Sequence, residues 1–478
     1  MIGGQVIRYL PSTIIPPLST FIAIYIYTRL LTPTEVGTYT FTLTITFLWQ
    51  SVFFSWLPIA VVRFYTGDYA RSGEDVVTVA HRGFGLAAIA ATVVFLTAKY
   101  LGFFEDIWVT WLALPLALSR SLLNVQLSWL QAQFKIGRYN LLEVGQTICG
   151  IVSGIILVEF YDLGAEGALI GILIGYIVGL AGNLLNIFRV AIKSVPSASL
   201  LREFFAYGLP LSLGSILASA LASVDRVVIT KYLGLSEVAA YSLAFGLVDR
   251  PITLIFSSVS IAMFPVAMHA LESQGPAVAR GYLRQGLGLA FALAIPACFG
   301  IAALDKNVVW VLLGENFREE TWPLIVWVTI CSFLAGVSYH TFGQSFHFSR
   351  QTWKVLFTIG PAAAINIVAC IIFVPSFGLQ GAIGANLVSM VVLVIVSGIL
   401  GQRSFRLDIP YVDALKAAVA SALMYLILKL LQLPLTAWGL VTGIVVGGLL
   451  YGLLALALNI AQARQMLDAK LISGRRPS

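Results

Sequence analysis

The chain has 478 residues, 59% of them hydrophobic and only 11% charged, and its mean hydropathy of +0.92 lies far above that of a soluble chain of this length. This excludes a soluble globular protein and predicts an all-α, polytopic membrane protein. A net charge of +7 would point to nucleic acid in a soluble protein, but here the basic residues fall between apolar segments, where they set orientation, and no nucleic-acid partner is expected.

With about 20 apolar residues per crossing, the sequence predicts about 14 transmembrane helices. They lie near 11–31, 38–62, 83–103, 107–130, 142–160, 163–187, 207–232, 239–263, 284–304, 320–341, 354–374, 379–402, 412–432 and 436–460. Arg8 precedes the first, and the apolar run to Leu31 has no small-residue cleavage site, so it reads as a retained helix. Of the 29 Lys and Arg, twenty fall at Arg8, in the even-numbered links, after the twelfth span and in the tail. Six (Arg29, Lys99, Lys231, Lys306, Arg318, Lys429) fall in the alternate links, and Arg120, Arg226 and Arg250 lie inside spans. This asymmetry predicts cytoplasmic termini and an even number of crossings in the cell (inner) membrane.

The chain repeats itself. Arg29–Tyr39 lies over Lys231–Tyr241 at an offset of 202, and at a slightly larger offset Phe134–Arg138 lies over Phe346–Arg350 and Gly164–Ala168 over Gly378–Ala382. A repeat of six crossings preserves orientation, which predicts two pseudo-symmetric six-helix lobes around a central cavity. The expected divisions are 1–195, 196–406, a helix pair at 407–460 and a cytoplasmic tail at 461–478. Gly439, Gly443 and Gly447 in the last span are small-residue steps that favour close helix packing, and Gly448 and Gly452 form a second register.

The central stretch 207–249 carries charge where charge is costly. Ser212, Ser215, Ser219, Ser223 and Arg226 share one stripe of the seventh span, and Ser242, Gly246, Asp249, Arg250, Thr253, Ser257 and Ser260 share one of the eighth. The two read as one wall of a polar cavity. Arginine suits phosphate there, because its planar fork donates two parallel hydrogen bonds and stays protonated. Arg120, with Asn124 one turn on, has no acid nearby in sequence and is the strongest candidate for substrate contact. Arg226 and Arg250 are the other two. Because the seventh and eighth spans run antiparallel, cross-pairing of Asp225 with Arg250, or of Asp249 with Arg226, is the competing structural reading. Alternatively the two carboxylates couple transport to an ion. Thr42, Thr46 and Gln50 give the second span a polar stripe that faces either sugar hydroxyls or neighbouring helices.

There is no GxxxxGK[ST] for ATP, no HExxH and no CxxC, so no cofactor or metal is expected. Cys149, Cys298, Cys331 and Cys370 lie in apolar segments as packing residues. No link leaves room for a folded catalytic domain, so an enzyme is not expected.

The run Arg29–Tyr39, the turn Trp56–Arg63, the Asp225-Arg226 pair, Tyr232–Gly234 and the link Gly378–Ala382 resemble the polysaccharide transporters of the multidrug/oligosaccharidyl-lipid/polysaccharide superfamily, although Thr32 stands where those carry Gly. The resemblance implies an O-antigen-type flippase that turns a polyprenyl-pyrophosphate-linked oligosaccharide to the outer leaflet by alternating access. Membrane lipid and polysaccharide assembly proteins would be its partners. It also implies that the final helix pair forms a groove for the lipid tail, as in lipid II flippases of that superfamily. Two other functions stay open: a cation-coupled drug exporter of the same fold, against which three intramembrane arginines argue, and a membrane enzyme of envelope polysaccharide assembly, whose large outer loop is missing.

Overall fold

The computed structural model describes residues 2–65, 73–102, 111–182, 198–462 and 464, and every regular element among them is helical. In chain order the first are α1 (Ile2–Leu30), α2 (Pro33–Phe54), α3 (Trp56–Tyr65), α4 (Gly73–Tyr100), α5 (Ala113–Ala132), α6 (Ile136–Glu159) and α7 (Gly164–Ala181). Then come α8 (Ala198–Tyr232), α9 (Leu235–Ser273), α10 (Pro276–Ala303), α11 (Asp305–Leu312) and α12 (Glu315–Thr321). The last are α13 (Ile325–Val337), α14 (Gly343–Phe348), α15 (Val355–Ser404), α16 (Tyr411–Leu430) and α17 (Ala437–Ala457).

Local chemistry explains the breaks. Before α2, the Thr32 hydroxyl accepts from the Glu35 N–H and the Glu35 carboxylate accepts from the Thr32 N–H, a reciprocal cap with Pro33 in the first turn. The second expected span is bent by 46° between α2 and α3. Pro58 has no N–H for the carbonyl four residues back, so the ladder fails beside Ser55. A π-turn, Ser338–Phe342, separates α13 from α14. The 50-residue α15 would be about 75 Å long if straight, more than twice the apolar thickness of a bilayer. Gly378 interrupts it with φ 61° and ψ −140°, a conformation open essentially to glycine alone.

Among the described residues, ten helices are long and apolar enough to cross a membrane, or eleven with the bent α2–α3 pair. The fourteen expected from the sequence exceed this at three places. α1 and α5 occupy the first and fourth expected spans without being among the ten, and α15 counts once although its break at Gly378 falls where the expected spans 354–374 and 379–402 meet. In α5 the cause is its polar content, with Arg120, Asn124 and Gln126 inside twenty residues. Parts of the expected spans at 83–103, 107–130 and 163–187, together with most of the tail, lie outside the described residues. Outward faces are apolar: Leu86, Ile89, Val93 and Leu96 form a stripe on α4, each more than half exposed, which suits lipid and would be unfavourable in water.

The chain divides into two compact units, Met1–Ser242 and Leu243–Ser478, with the boundary inside α9. In the first, α3 is locked by Trp56 stacked on Phe205 and Phe64 on Phe204, over a core with Leu57, Val79 and Ala80. α6 and α7 interlock through glycines: a Cβ at Gly171 would strike the Gly154 backbone, and one at Gly175 would lie 2.9 Å from the Gly150 Cα. In the second, α16 and α17 are tied to the helices before them. Lys429 Nζ meets Asp305 Oδ1 at 3.0 Å, and the Tyr451 hydroxyl donates to the Ala292 carbonyl at 2.7 Å. Of the two expected glycine registers in α17, Gly439, Gly443 and Gly447 are buried, while Gly448 and Gly452 face open space.

The duplicated sequence has a local structural counterpart. After α5, Phe134 takes φ 56° and the Lys135 N–H reaches back to Leu130 O; after α14, Arg350 takes φ 56° and the Gln351 N–H reaches back to Phe346 O. The turns therefore coincide at Phe134 and Arg350. The sequence register that placed Phe134 on Phe346 is off by one helical turn.

Candidate functional site

Among the described residues, the intramembrane charges singled out in the sequence fall in three places. The first is built on α5, α6 and α7. Arg120 donates from Nη2 to Glu143 Oε1 at 3.2 Å and from Nη1 to Glu143 Oε2 at 3.4 Å, a fork on a carboxylate. Gln146, one turn beyond Glu143, donates from Nε2 to its Oε2 at 2.9 Å, and the guanidinium stands 5.6 Å from the centre of the Tyr176 ring. The Arg120 side chain keeps 25% of its surface and Glu143 keeps 12%. The expectation that Arg120 lacks an acid is thus corrected, because its partner comes from the next helix. Glu143 was legible in principle as a carboxylate inside an apolar span with Gln146 one turn on. Along antiparallel helices the two residues differ in depth by about 7 Å, a gap that these long side chains close. Asn124 is half-buried one turn along α5, and its side chain makes no hydrogen bond among the described residues.

The second place joins α8 and α9. Cross-pairing was the competing reading, but Arg226 folds back along its own helix instead, with Nη1 3.5 Å from Asp225 Oδ1. Its Nε donates to Ser242 Oγ at 3.1 Å, Nη1 donates to the Ala222 carbonyl, and the Tyr241 hydroxyl donates to Asp225 Oδ2. Adjacent residues do not share a helix face, yet arginine is long enough to curl around the helix. Asp225 and Tyr241 are both buried, so this cluster staples α8 to α9. The serine stripe of α8 is also less open than expected: Ser219 Oγ donates to Ser51 Oγ at 2.8 Å, and Ser51 Oγ donates to the Ser215 carbonyl at 3.1 Å. Ser212, Ser219 and Ser223 are buried. On α2, Thr42 and Thr46 are buried too, the Thr46 hydroxyl donating to the Thr42 carbonyl of its own helix at 2.8 Å and lying 3.4 Å from the Ala113 carbonyl of α5; Gln50 stays half-buried.

The third place is Asp249 and Arg250 on α9. Arg250 is exposed and Asp249 half-buried, and neither forms an ion pair among the described residues. Thr253, Ser257 and Ser260 continue their stripe half-exposed, as the spacing predicts. Apart from these, a cavity of about 510 Å³ lies between α10, α13 and α16 in the second unit, walled by Cys298, Phe299, Ile330, Phe333, Ala418 and Tyr425. Its lining is almost wholly apolar, suited to a hydrocarbon chain.

Comparison with known proteins follows the same lines. Residues 26–321 match the family described as "Polysaccharide biosynthesis protein". The chain is 25% identical over 313 residues to a "Probable low-salt glycan biosynthesis flippase Agl15" of Haloferax volcanii, covering 64% of each chain. It is 27% identical over 304 residues to the "Succinoglycan biosynthesis transport protein ExoT" of Rhizobium meliloti, covering 57% of this chain and 55% of that one. The match therefore spans less than two thirds of either relative's length. In fold the chain is similar to "Lipid II flippase MurJ, inward closed conformation", with a TM-score of 0.78 at 16% identity over 96% of this chain and 100% of that one. It is also similar to an inward-facing multidrug resistance MATE family transporter of the MOP superfamily, with a TM-score of 0.65 at 17% identity over 83% and 98%.

Proposed function

Because the chain belongs to the family of polysaccharide biosynthesis proteins, we propose that it is a multi-pass flippase carrying a polyprenyl-pyrophosphate-linked oligosaccharide from the cytoplasmic to the outer leaflet. It works by alternating access in the cell (inner) membrane during assembly of a surface polysaccharide, with both termini cytoplasmic. The observation that carries this reading is an exposed arginine set in an apolar helix and held in no ion pair among the described residues. Arg250 stands exposed on α9 without an ion pair among the described residues. A guanidinium in that position costs several kcal/mol unless water or an anion receives it, and a pyrophosphate matches its fork.

Roles for the other residues follow from their surroundings. Arg226 meets the cargo from a fixed position, its guanidinium already engaged by Asp225, Ser242 and the Ala222 carbonyl. Arg120 and Asn124 on α5, with Gln50 on α2, contact the rest of the cargo. Asp225 serves charge pairing, being held by Arg226 and Tyr241. Asp249 is the carboxylate left for coupling to an ion gradient. The apolar cavity beside α16 takes the hydrocarbon chain. Relatives named as a flippase and a transport protein support movement of the cargo without bond chemistry.

The test is leaflet-resolved transport in proteoliposomes, using undecaprenyl-pyrophosphate-linked oligosaccharide and the full chain. Wild type is expected to expose the glycan on the opposite face, and Arg250→Ala to slow this by about tenfold. No exposure above protein-free vesicles would remove the assignment.

A further inference from the structure

The cluster around Arg120 has a composition that phosphate binding does not explain. Both terminal nitrogens of Arg120, the edge that would clasp a phosphate, are turned onto Glu143. The pair carries no net charge, and a pyrophosphate entering beside it would meet the Glu143 carboxylate at close range, where like charges repel strongly in a poorly hydrated site. What remains is a set of uncharged needs. Gln146 is 5% exposed, and its Oε1 is buried with no donor among the described residues. An amide oxygen left in that state is unfavourable, and a ligand hydroxyl reaching it would relieve the cost. Asn124, one turn along α5 from Arg120, has both halves of its amide unengaged among the described residues.

Resting on the flippase reading above, the geometry points to Arg120, Glu143, Gln146 and Asn124 as a subsite for uncharged sugar rings of the lipid-linked glycan, with the pyrophosphate left to Arg250. Carboxylate and amide oxygens accept from sugar hydroxyls. The Arg120 Nε–H and the Asn124 amide N–H donate to them, and Tyr176 supports the guanidinium from behind. Glu143 is then a specificity element, since its charge rejects rings bearing a carboxylate of their own.

Binding of three probes to the full chain in nanodiscs tests this: undecaprenyl pyrophosphate alone, the same lipid bearing a neutral hexose oligosaccharide, and one bearing a uronate in place of one hexose. Wild type is expected to prefer the neutral glycan over the uronate by about tenfold, and Glu143→Gln, which leaves the Arg120 charge unpaired, to erase or reverse that preference without weakening the bare lipid. Gln146→Met keeps the ion pair and side-chain volume; it should weaken only the glycan-bearing probes, by about threefold or more. That second variant decides the matter if Glu143→Gln does not fold. Equal wild-type affinity for neutral and uronate probes, or loss of bare-lipid binding in these variants, overturns the sugar subsite and leaves the flippase reading standing. Wild type that binds none of the three overturns the flippase reading itself.

Discussion

At Asp225 a carboxylate inside an apolar helix survives because every demand is met locally. The Arg226 N–H donates to Oδ1 at 2.9 Å, the Arg226 guanidinium stands beside it, and the Tyr241 hydroxyl donates to Oδ2. Both Asp225 and Tyr241 are almost fully buried, at 1% and 0% exposed, so no water can replace a lost partner. Tyr241→Phe removes one hydroxyl and little volume, yet leaves a buried carboxylate oxygen short of a donor. It should cost about 2 kcal/mol, read as a lowered midpoint of thermal unfolding in detergent micelles. Tyr39→Phe, at the residue matched to Tyr241 in the first repeat, removes a hydroxyl that bonds no carboxylate among the described residues and serves as the control. The sequence located Asp225 and Arg226 as intramembrane charges but could not pair them. Spacing along a helix reports which residues share a face, whereas an arginine side chain reaches around that face. The same limit hid Glu143, which stands 23 residues from Arg120 on another helix.

Among the helices, small residues decide how closely neighbours approach, and each glycine can be judged by what a methyl group would meet. At Gly171 it would run into the backbone of Gly154 and come within 2.8 Å of the Gly150 carbonyl oxygen. At Gly448 nothing lies within 4 Å. Gly171→Ala should therefore force α6 and α7 apart and cost about 2 kcal/mol. Gly448→Ala should leave stability unchanged or slightly raised, because it only lowers backbone freedom in a helix. Paired unfolding curves of the two variants separate these outcomes, and equal midpoints would refute the interlock. The glycine spacing of α17 was readable in the sequence, but which of its two registers packs was not. The breaks were not all readable. Pro58 and Gly378 are visible as residues, but a proline can kink a membrane helix or pass unnoticed, depending on which neighbours take up the freed carbonyl.

Across the whole chain, hydropathy gave the helical membrane class directly, since a chain this apolar has few ways to satisfy its backbone. The repeat was legible as well, and the recurring turn at Phe134 and Arg350 supports it while correcting its register. Grouping into compact units was not legible. α8 joins the first unit because Phe204 and Phe205 stack on α3 and Ser219 bonds Ser51, contacts that no periodicity announces. Orientation is the claim that sequence makes and packing leaves open, so it needs its own test, and α10 provides one. Before this single apolar helix stands the link at Ser273–Gly275, with Arg280 and Arg284 just beyond; after it stand Lys306 and Arg318 on the short α11 and α12, with Asp305, Glu315, Glu319 and Glu320. Acidic residues weigh little in orientation, and each side carries two Lys or Arg, with Arg280 bonded to the Pro276 carbonyl as Arg318 is to that of Leu313. The asymmetry of basic residues over the whole chain therefore decides, and the positive-inside rule puts the α9–α10 link in the cytoplasm. With Cys149, Cys298, Cys331 and Cys370 replaced by Ala, a membrane-impermeant maleimide should label Glu315→Cys on intact cells and Ser273→Cys only after permeabilisation. The reverse pattern would invert the whole topology, and with it the direction in which the cargo moves.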